Sequence, residues 1–345
     1  MFIILLFSNK MRYLSRNEKT VLVVLITGML ITVIISVYLY ANVHRKNQEV
    51  ITHRLHVIHT SGDIDSDFVS KYNQNRDQVG QYDIDSWNKP ISSSNIVPED
   101  WNRIANAIRH KYNNYDAFII VHGGDTMAYS ASAVSFLLEN LHKPVVFTNG
   151  DLFEAVYLTS RTRIPEVMIA SNGKLLRATR TVHDSPNYYR SPSYKELEKY
   201  NCLSMPSYDA KLKVHQVSNK VKIALVKVYP GMDGKQLASL LEDENLRGVV
   251  LEIYGSGQAP ISKTLLEVIN ALVKKGIVVV GVSQCNEAGQ YEINPRLINA
   301  GVLPGYDMTA PCAFTKLAFL LSNVQELKLI GKLIEQSFRG EVTVQ

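Results

Sequence analysis

Two short loops hold most of the residues able to do chemistry in this chain. Thr60-Ser61-Gly62-Asp63-Ile64 follows the strand-like run Arg54 to His59, and His122-Gly123-Gly124-Asp125-Thr126 follows the apolar run Ala117 to Val121. Hydroxyls and carboxylates gathered behind buried strands suit a small-molecule site, because ligands of open α/β sheets collect at the carboxyl ends of strands. A third polar segment is Ser92-Ser93-Ser94-Asn95. Each of these has a plainer use: Asp125 as the cap of a helix beginning near Thr126, and the serines as an ordinary turn. His59 and His122 follow strands and are expected as hydrogen-bonded scaffold rather than catalytic bases. Asp63, Asp65, Asp125 and His183 lack the tight spacing of a ligand set, so neither a metal nor another cofactor is expected. Cys285, in Ser283-Gln284-Cys285, has no obvious base beside it and is not read as a nucleophile.

These loops need strands and helices to hold them. Ala117 to Val121 is too short for a free-standing helix and ends at a Gly pair, which predicts a buried parallel strand. Ala131, Val134, Leu138 and Leu141 then recur at helical spacing until Lys143-Pro144, and Val145 to Thr148 is short and β-branched enough to be the next strand. Upstream, Pro98 opens a helix on which Trp101, Ile104, Ala105 and Ile108 share one face. Asp65 to Trp87 is polar and is read as loop.

A second α/β pattern starts later. Lys222 to Val228, Gly248 to Ile253 and Ile277 to Val282 read as strands, alternating with helices over Lys235 to Glu242 and Ile261 to Lys274. Helices near Ala313 to Leu321 and Gln325 to Ser337 complete it. Between the two patterns, Ser185 to Asn219 is rich in Ser, Pro, Tyr and charge, and is expected to link two domains with little core of its own.

Composition excludes one class of partner. The formal charge of +5 over 345 residues falls mostly in the first fifty, where Lys10, Arg12, Arg16, Lys19, Arg45 and Lys46 face only Glu18 and Glu49. About +1 is left for the rest, which gives no nucleic-acid surface. Thr20 to Ala41 carries no charged residue, and a run of roughly twenty apolar residues is what a bilayer core requires. It is read as a transmembrane anchor; the alternative is a signal peptide, but Val37-Tyr38-Leu39-Tyr40 offers no small-residue cleavage site. Basic residues are denser before the span than after it, which predicts a single-pass membrane protein with its N-terminus cytoplasmic, of type II. The expected organisation is a tail over 1–19, the anchor over 20–41, a juxtamembrane linker over 42–54, a first domain over 55–184, a linker over 185–219 and a second domain over 220–345.

Several segments together carry a family resemblance. His122-Gly123-Gly124-Asp125-Thr126-Met127-Ala128-Tyr129, Leu138-Glu139-Asn140-Leu141, Lys143-Pro144-Val145, Val228-Tyr229-Pro230-Gly231, Glu252 to Pro260, Gln284-Cys285 and Gly305 to Thr309 resemble, in order, the bacterial-type L-asparaginase family, especially its cytoplasmic branch. The resemblance implies a larger N-terminal α/β domain and a smaller Rossmann-like C-terminal one. It also implies homo-oligomers, as dimer or tetramer, in which the loop bearing Gln258 reaches the partner's site.

The resemblance also assigns roles residue by residue. Such enzymes hydrolyse a side-chain amide with a threonine nucleophile in a T-G-G-T-I loop, backed by a second threonine, an aspartate and a lysine. Asp63 stands where the nucleophile belongs, Gly124 where the second threonine belongs, and His183 at or near the lysine's place. The extension expected after the next strand is missing, since Thr148-Asn149-Gly150-Asp151 runs almost directly into Phe153 to Leu158. Asp125 matches the residue that holds the substrate's α-amino group. Thr60, Ser93 and Ser94 match substrate-binding positions, with Asn95 replacing an acid. A carboxylate is a weak nucleophile towards an amide, and losing nucleophile and relay together removes a unit whose parts act non-additively. The preferred expectation is therefore a membrane-anchored, catalytically degenerate relative that binds a small amino acid or amine or another protein. The alternative is a divergent amidohydrolase acting on the side-chain amide of an amino acid.

Overall fold

The computed structural model describes residues 15, 27–29, 31–36, 54–61, 64, 67–76, 79–185, 188–192, 197, 201–285 and 292–343. The chain divides into two units, Met1–Val50 and Ile51–Gln345. In the first, the membrane anchor expected over Thr20 to Ala41, and the type II placement drawn from it, are overturned: among the described residues no helix is long and apolar enough to cross a membrane. Only 27–29 and 31–36 of that stretch are described, as helix. The rest of the stretch lies outside the described residues.

The second unit holds two sheets. Strands β1 (Arg54–His59), β2 (Gln81–Ser86), β3 (Ala117–Val121), β5 (Val145–Thr148), β6 (Val167–Ser171) and β7 (Lys174–Arg177) form a six-stranded sheet in the order β2-β1-β3-β5-β6-β7. All its pairs are parallel except β6 with β7. Every residue of β3 is buried, as a central parallel strand covered on both faces requires. The register Leu55↔Ala117 to His59↔Val121 brings the ends of β1 and β3 level, so the loops that follow them leave the sheet side by side.

Around this sheet, α1 (Phe68–Gln74) and β2 occupy the stretch read from sequence as loop. Helix α2 (Pro98–Lys111) starts at Pro98, whose missing N–H is no loss in a first turn. The Asp100 carboxylate accepts the Val97 N–H at 3.0 Å, and Trp101, Ile104, Ala105 and Ile108 are buried on one face. Helix α3 (Met127–Leu137) is shorter than its apolar spacing predicted. Leu138–Glu139 leaves the helix as β4 and pairs antiparallel with β10 (Lys213–Val214). The expected linker is thus stitched to the first sheet's periphery, and Val217 within it is buried.

The smaller sheet is wholly parallel, in the order β11 (Lys222–Lys227), β12 (Leu246–Ile253), β13 (Val278–Ser283), β14 (Val302–Pro304). Helices α5 (Gly234–Leu240), α6 (Lys263–Lys274), α7 (Pro295–Asn299), α8 (Ala310–Asn323) and α9 (Leu327–Ile334) surround it; α4 (Leu152–Thr159) belongs to the first sheet. Helix α3 is buried on nearly every side because it lies between the two halves. Two of its inward serine hydroxyls find partners, Trp101 Nε1 donating to Ser130 Oγ at 3.1 Å and Ser132 sharing a 2.8 Å hydrogen bond with Thr315 of α8, while Arg339 Nε donates to the backbone carbonyl of Ser135 at 2.8 Å. Buried hydroxyls paired in this way avoid the desolvation cost that would otherwise exclude them.

Two buried histidines set an acid limit on stability. His122 is wholly buried; its Nδ1 donates to the Gly123 carbonyl at 2.7 Å while Nε2 has no partner. His56 is buried with Nδ1 unpartnered, and Nε2 sits 3.4 Å from Asp85. Burial pushes both imidazoles below their ordinary value of 6.5. A lowered histidine pKa means that the unfolded chain binds more protons, so this contribution is full above 6.5 and is lost as pH falls below it. The melting temperature is expected to drop from pH 7 to pH 5.5, and the drop to be shallower in His122→Asn, as measured by thermal unfolding across that range.

Candidate active site

The ends of β1 and β3 meet through Thr60, whose N–H and Oγ1 both donate to the Val121 carbonyl, at 3.0 and 2.9 Å. Ser61 then receives the Gly123 N–H on its Oγ at 2.8 Å. The third segment arrives as a single 3-10 turn, Ser93–Asn95. Ser93 Oγ donates to Asp125 Oδ2 at 3.4 Å, and Thr126 Oγ1 donates to the Ser93 carbonyl at 2.6 Å. A Cβ at Gly123 would lie 2.6 Å from Ser93 Oγ, so only glycine admits this approach. Thr60, Ser93 and Asp125 are therefore brought to one place, while Ser94 is exposed beside them and bonded to Ser92 at 2.8 Å. Asp63 lies outside the described residues. Asp125 does not cap α3: Thr126 occupies the cap position, and Asp125 is exposed at the loop with Ser93 as its hydrogen-bond partner.

A residue that no motif suggested occupies the centre. Tyr189, buried to 2% exposure, comes from a hairpin of β8 (Val182–Ser185) and β9 (Tyr188–Arg190). Its hydroxyl donates to the Gly124 carbonyl at 2.6 Å. A Cβ built on Gly124 would meet that oxygen at 3.2 Å, so the phenol is in tight contact with the place where a side chain at 124 would begin. Burial, with the Asp125 charge second, raises the phenol's pKa and keeps it neutral. His183 is exposed and stacks on the Tyr189 ring at 4.8 Å. Sequence reading placed Tyr189 in a linker; Pro186-Asn187 between short runs was the available turn signal for the hairpin.

On the smaller sheet, the turn Tyr254 to Gly257 closes with Gly257 at φ +76° and the Gly257 N–H on the Tyr254 carbonyl at 2.9 Å. Gln258 Oε1 accepts from Asn294 Nδ2 of the same chain at 2.6 Å. Cys285 is exposed, and its N–H donates to Ser283 Oγ at 2.9 Å.

A mostly parallel sheet presenting hydroxyls and a carboxylate at its carboxyl edge, joined through α3 and α8 to a smaller parallel sheet, makes this a two-domain α/β protein with a candidate small-molecule site. The chain belongs to the asparaginase family: residues 54–205 match the family described as Asparaginase, N-terminal, and residues 222–334 the Glutaminase/Asparaginase C-terminal domain. It is 34% identical over 295 residues to L-asparaginase 1 of Escherichia coli, covering 78% of this chain and 87% of that one. It is 31% identical to an L-asparaginase of Dirofilaria immitis over 74% of this chain and 48% of the relative. The crystal structure of L-asparaginase I from Vibrio cholerae superposes with a TM-score of 0.77 at 29% identity, over 85% of this chain and 99% of that one.

Proposed function

We propose that the chain is a divergent amidohydrolase of the asparaginase class, acting on the side-chain amide of a small amino acid whose ammonium is held at Asp125. The names of its relatives favour this over binding alone. The observation that carries it is the Ser93, Asp125 and Thr126 cluster, which keeps a carboxylate at the carboxyl edge of the sheet, able to form a charge-assisted bond to an ammonium. Gly124 brings no hydroxyl and the sequence has Asp63 in the nucleophile's place, so the attacking oxygen comes from water and turnover is slow.

A second reading, recognition without turnover, is favoured by the Tyr189 hydroxyl packed 3.2 Å from the place of a Cβ at residue 124. Ammonia release from L-asparagine and L-glutamine by the full chain separates the two. Slow release that disappears in Asp125→Ala is the expected result. Release that survives Asp125→Ala would contradict the site, and binding without any release would select the second reading.

A further inference from the structure

Resting on that reading of the site, we propose that Tyr189 is its specificity-determining residue, and that it makes the pocket select amines over carboxylates. The argument is one of hydrogen-bond supply. A tyrosine hydroxyl has a single hydrogen to give, and Tyr189 gives it to the Gly124 carbonyl at 2.6 Å. Towards a ligand it therefore presents only lone pairs. Its neighbours behave alike: Thr60 Oγ1 gives its hydrogen to the Val121 carbonyl, Ser93 Oγ to Asp125, and Thr126 Oγ1 to the Ser93 carbonyl. Asp125 itself is an acceptor and carries a negative charge. Ser61, which accepts the Gly123 N–H, is the one hydroxyl of the cluster whose hydrogen has no acceptor among the described residues.

Its hydroxyls and the Asp125 carboxylate make such a site rich in acceptors, and the Asn149 amide, 3.9 Å from the place of a Cβ at 124, is the side-chain N–H donor beside them. A ligand ammonium brings three donors and a positive charge; a carboxylate brings neither, and meets Asp125 at the cost of like-charge repulsion. His183, where the family resemblance expects a lysine, supplies no fixed cation to offset this. Tyr189 is what holds the balance. With Phe in its place the phenol oxygen beside Asp125 is lost as an acceptor, and the Gly124 carbonyl is released from the bond that fixes the loop carrying Asp125. The phenol oxygen also lies 3.2 Å from the place of a Cβ at residue 124, so it crowds that side of the Asp125 loop.

Calorimetric titration of the full chain with cadaverine, L-asparagine and succinate tests this. Cadaverine and asparagine are expected to bind, with succinate weaker by about tenfold or more, the size of one charge-assisted bond. Tyr189→Phe is expected to weaken cadaverine about fivefold or more while leaving succinate within twofold. Gly124→Ala, whose methyl crowds the hydroxyl without deleting it, is expected to act in the same direction. Succinate binding as tightly as cadaverine, equal losses for both ligands in Tyr189→Phe, or no binding of any probe would each overturn the proposal. Ammonia release from asparagine alongside any of those results would leave the amidohydrolase reading standing. Selective amine binding without ammonia release would do the reverse.

Discussion

Combining Asp63→Thr, Gly124→Thr and His183→Lys with Tyr189→Phe is expected to raise ammonia release from L-asparagine by about 10³-fold or more over the unmodified chain, with each single substitution worth less than about tenfold. The family resemblance assigns the nucleophile, its relay and a lysine to positions 63, 124 and 183, and groups that act as a unit recover rate only together. The structure adds the fourth change. A threonine at 124 would place its Cβ 3.2 Å from the Tyr189 oxygen, with Oγ and Cγ still to be accommodated, so the hydroxyl must leave before the side chain can take a productive rotamer. Phe keeps the buried ring of residue 189 and removes the obstructing hydroxyl. A stopped assay for ammonia on the triple and quadruple variants checks the point. The triple variant should stay near the starting rate, and a quadruple variant that gains nothing would show that the residues are misassigned.

Glu341→Ala is expected to destabilise the chain by about 3–5 kcal/mol, read from urea unfolding, because it strands a buried cation. Lys316 and Glu341 are both wholly buried, with Nζ 2.8 Å from Oε1. The same carboxylate accepts the Phe338 N–H at 3.0 Å and the Arg339 N–H at 2.6 Å, while Lys316 also donates to the Ile334 carbonyl at 2.8 Å. This pair therefore pins the C-terminal segment where it crosses between the halves. There, Arg180 Nε reaches the Gly340 carbonyl at 2.6 Å and Arg180 Nη1 bonds Asp307 at 2.6 Å. Glu341→Gln keeps the shape and two acceptor lone pairs, so its loss should be smaller. Lys316→Met with Glu341→Ala should cost less than Glu341→Ala alone, since no uncompensated charge remains.

The central strands and α2 were legible because burial on both faces, or on one, leaves a periodic mark in residues such as Phe118 to Val121 and Trp101 to Ile108. Strand β2 left none. Its Gln81–Ser86 lies at an edge with nearly every side chain exposed, so apolar alternation had no reason to arise. Helix α3 ended early because Leu138 and Glu139 gain a strand partner, Lys213–Val214, that lies far away in sequence. The membrane reading counted uncharged residues, a measure of apolarity alone, and among the described residues no helix is long and apolar enough to cross a membrane. At the site, Asp125 and Ser93 were singled out by the family resemblance, whereas Tyr189 depends on a hairpin and on the space left by Gly124, neither of which residue types alone record.

The most direct measurement is a crystal structure of the full chain grown with L-asparagine. The ligand's ammonium is expected about 2.8 Å from an Asp125 carboxylate oxygen, the usual length of a charge-assisted bond, with the Tyr189 hydroxyl still on the Gly124 carbonyl. Asparagine bound elsewhere, or turned so that its carboxylate faces Tyr189, would contradict the account.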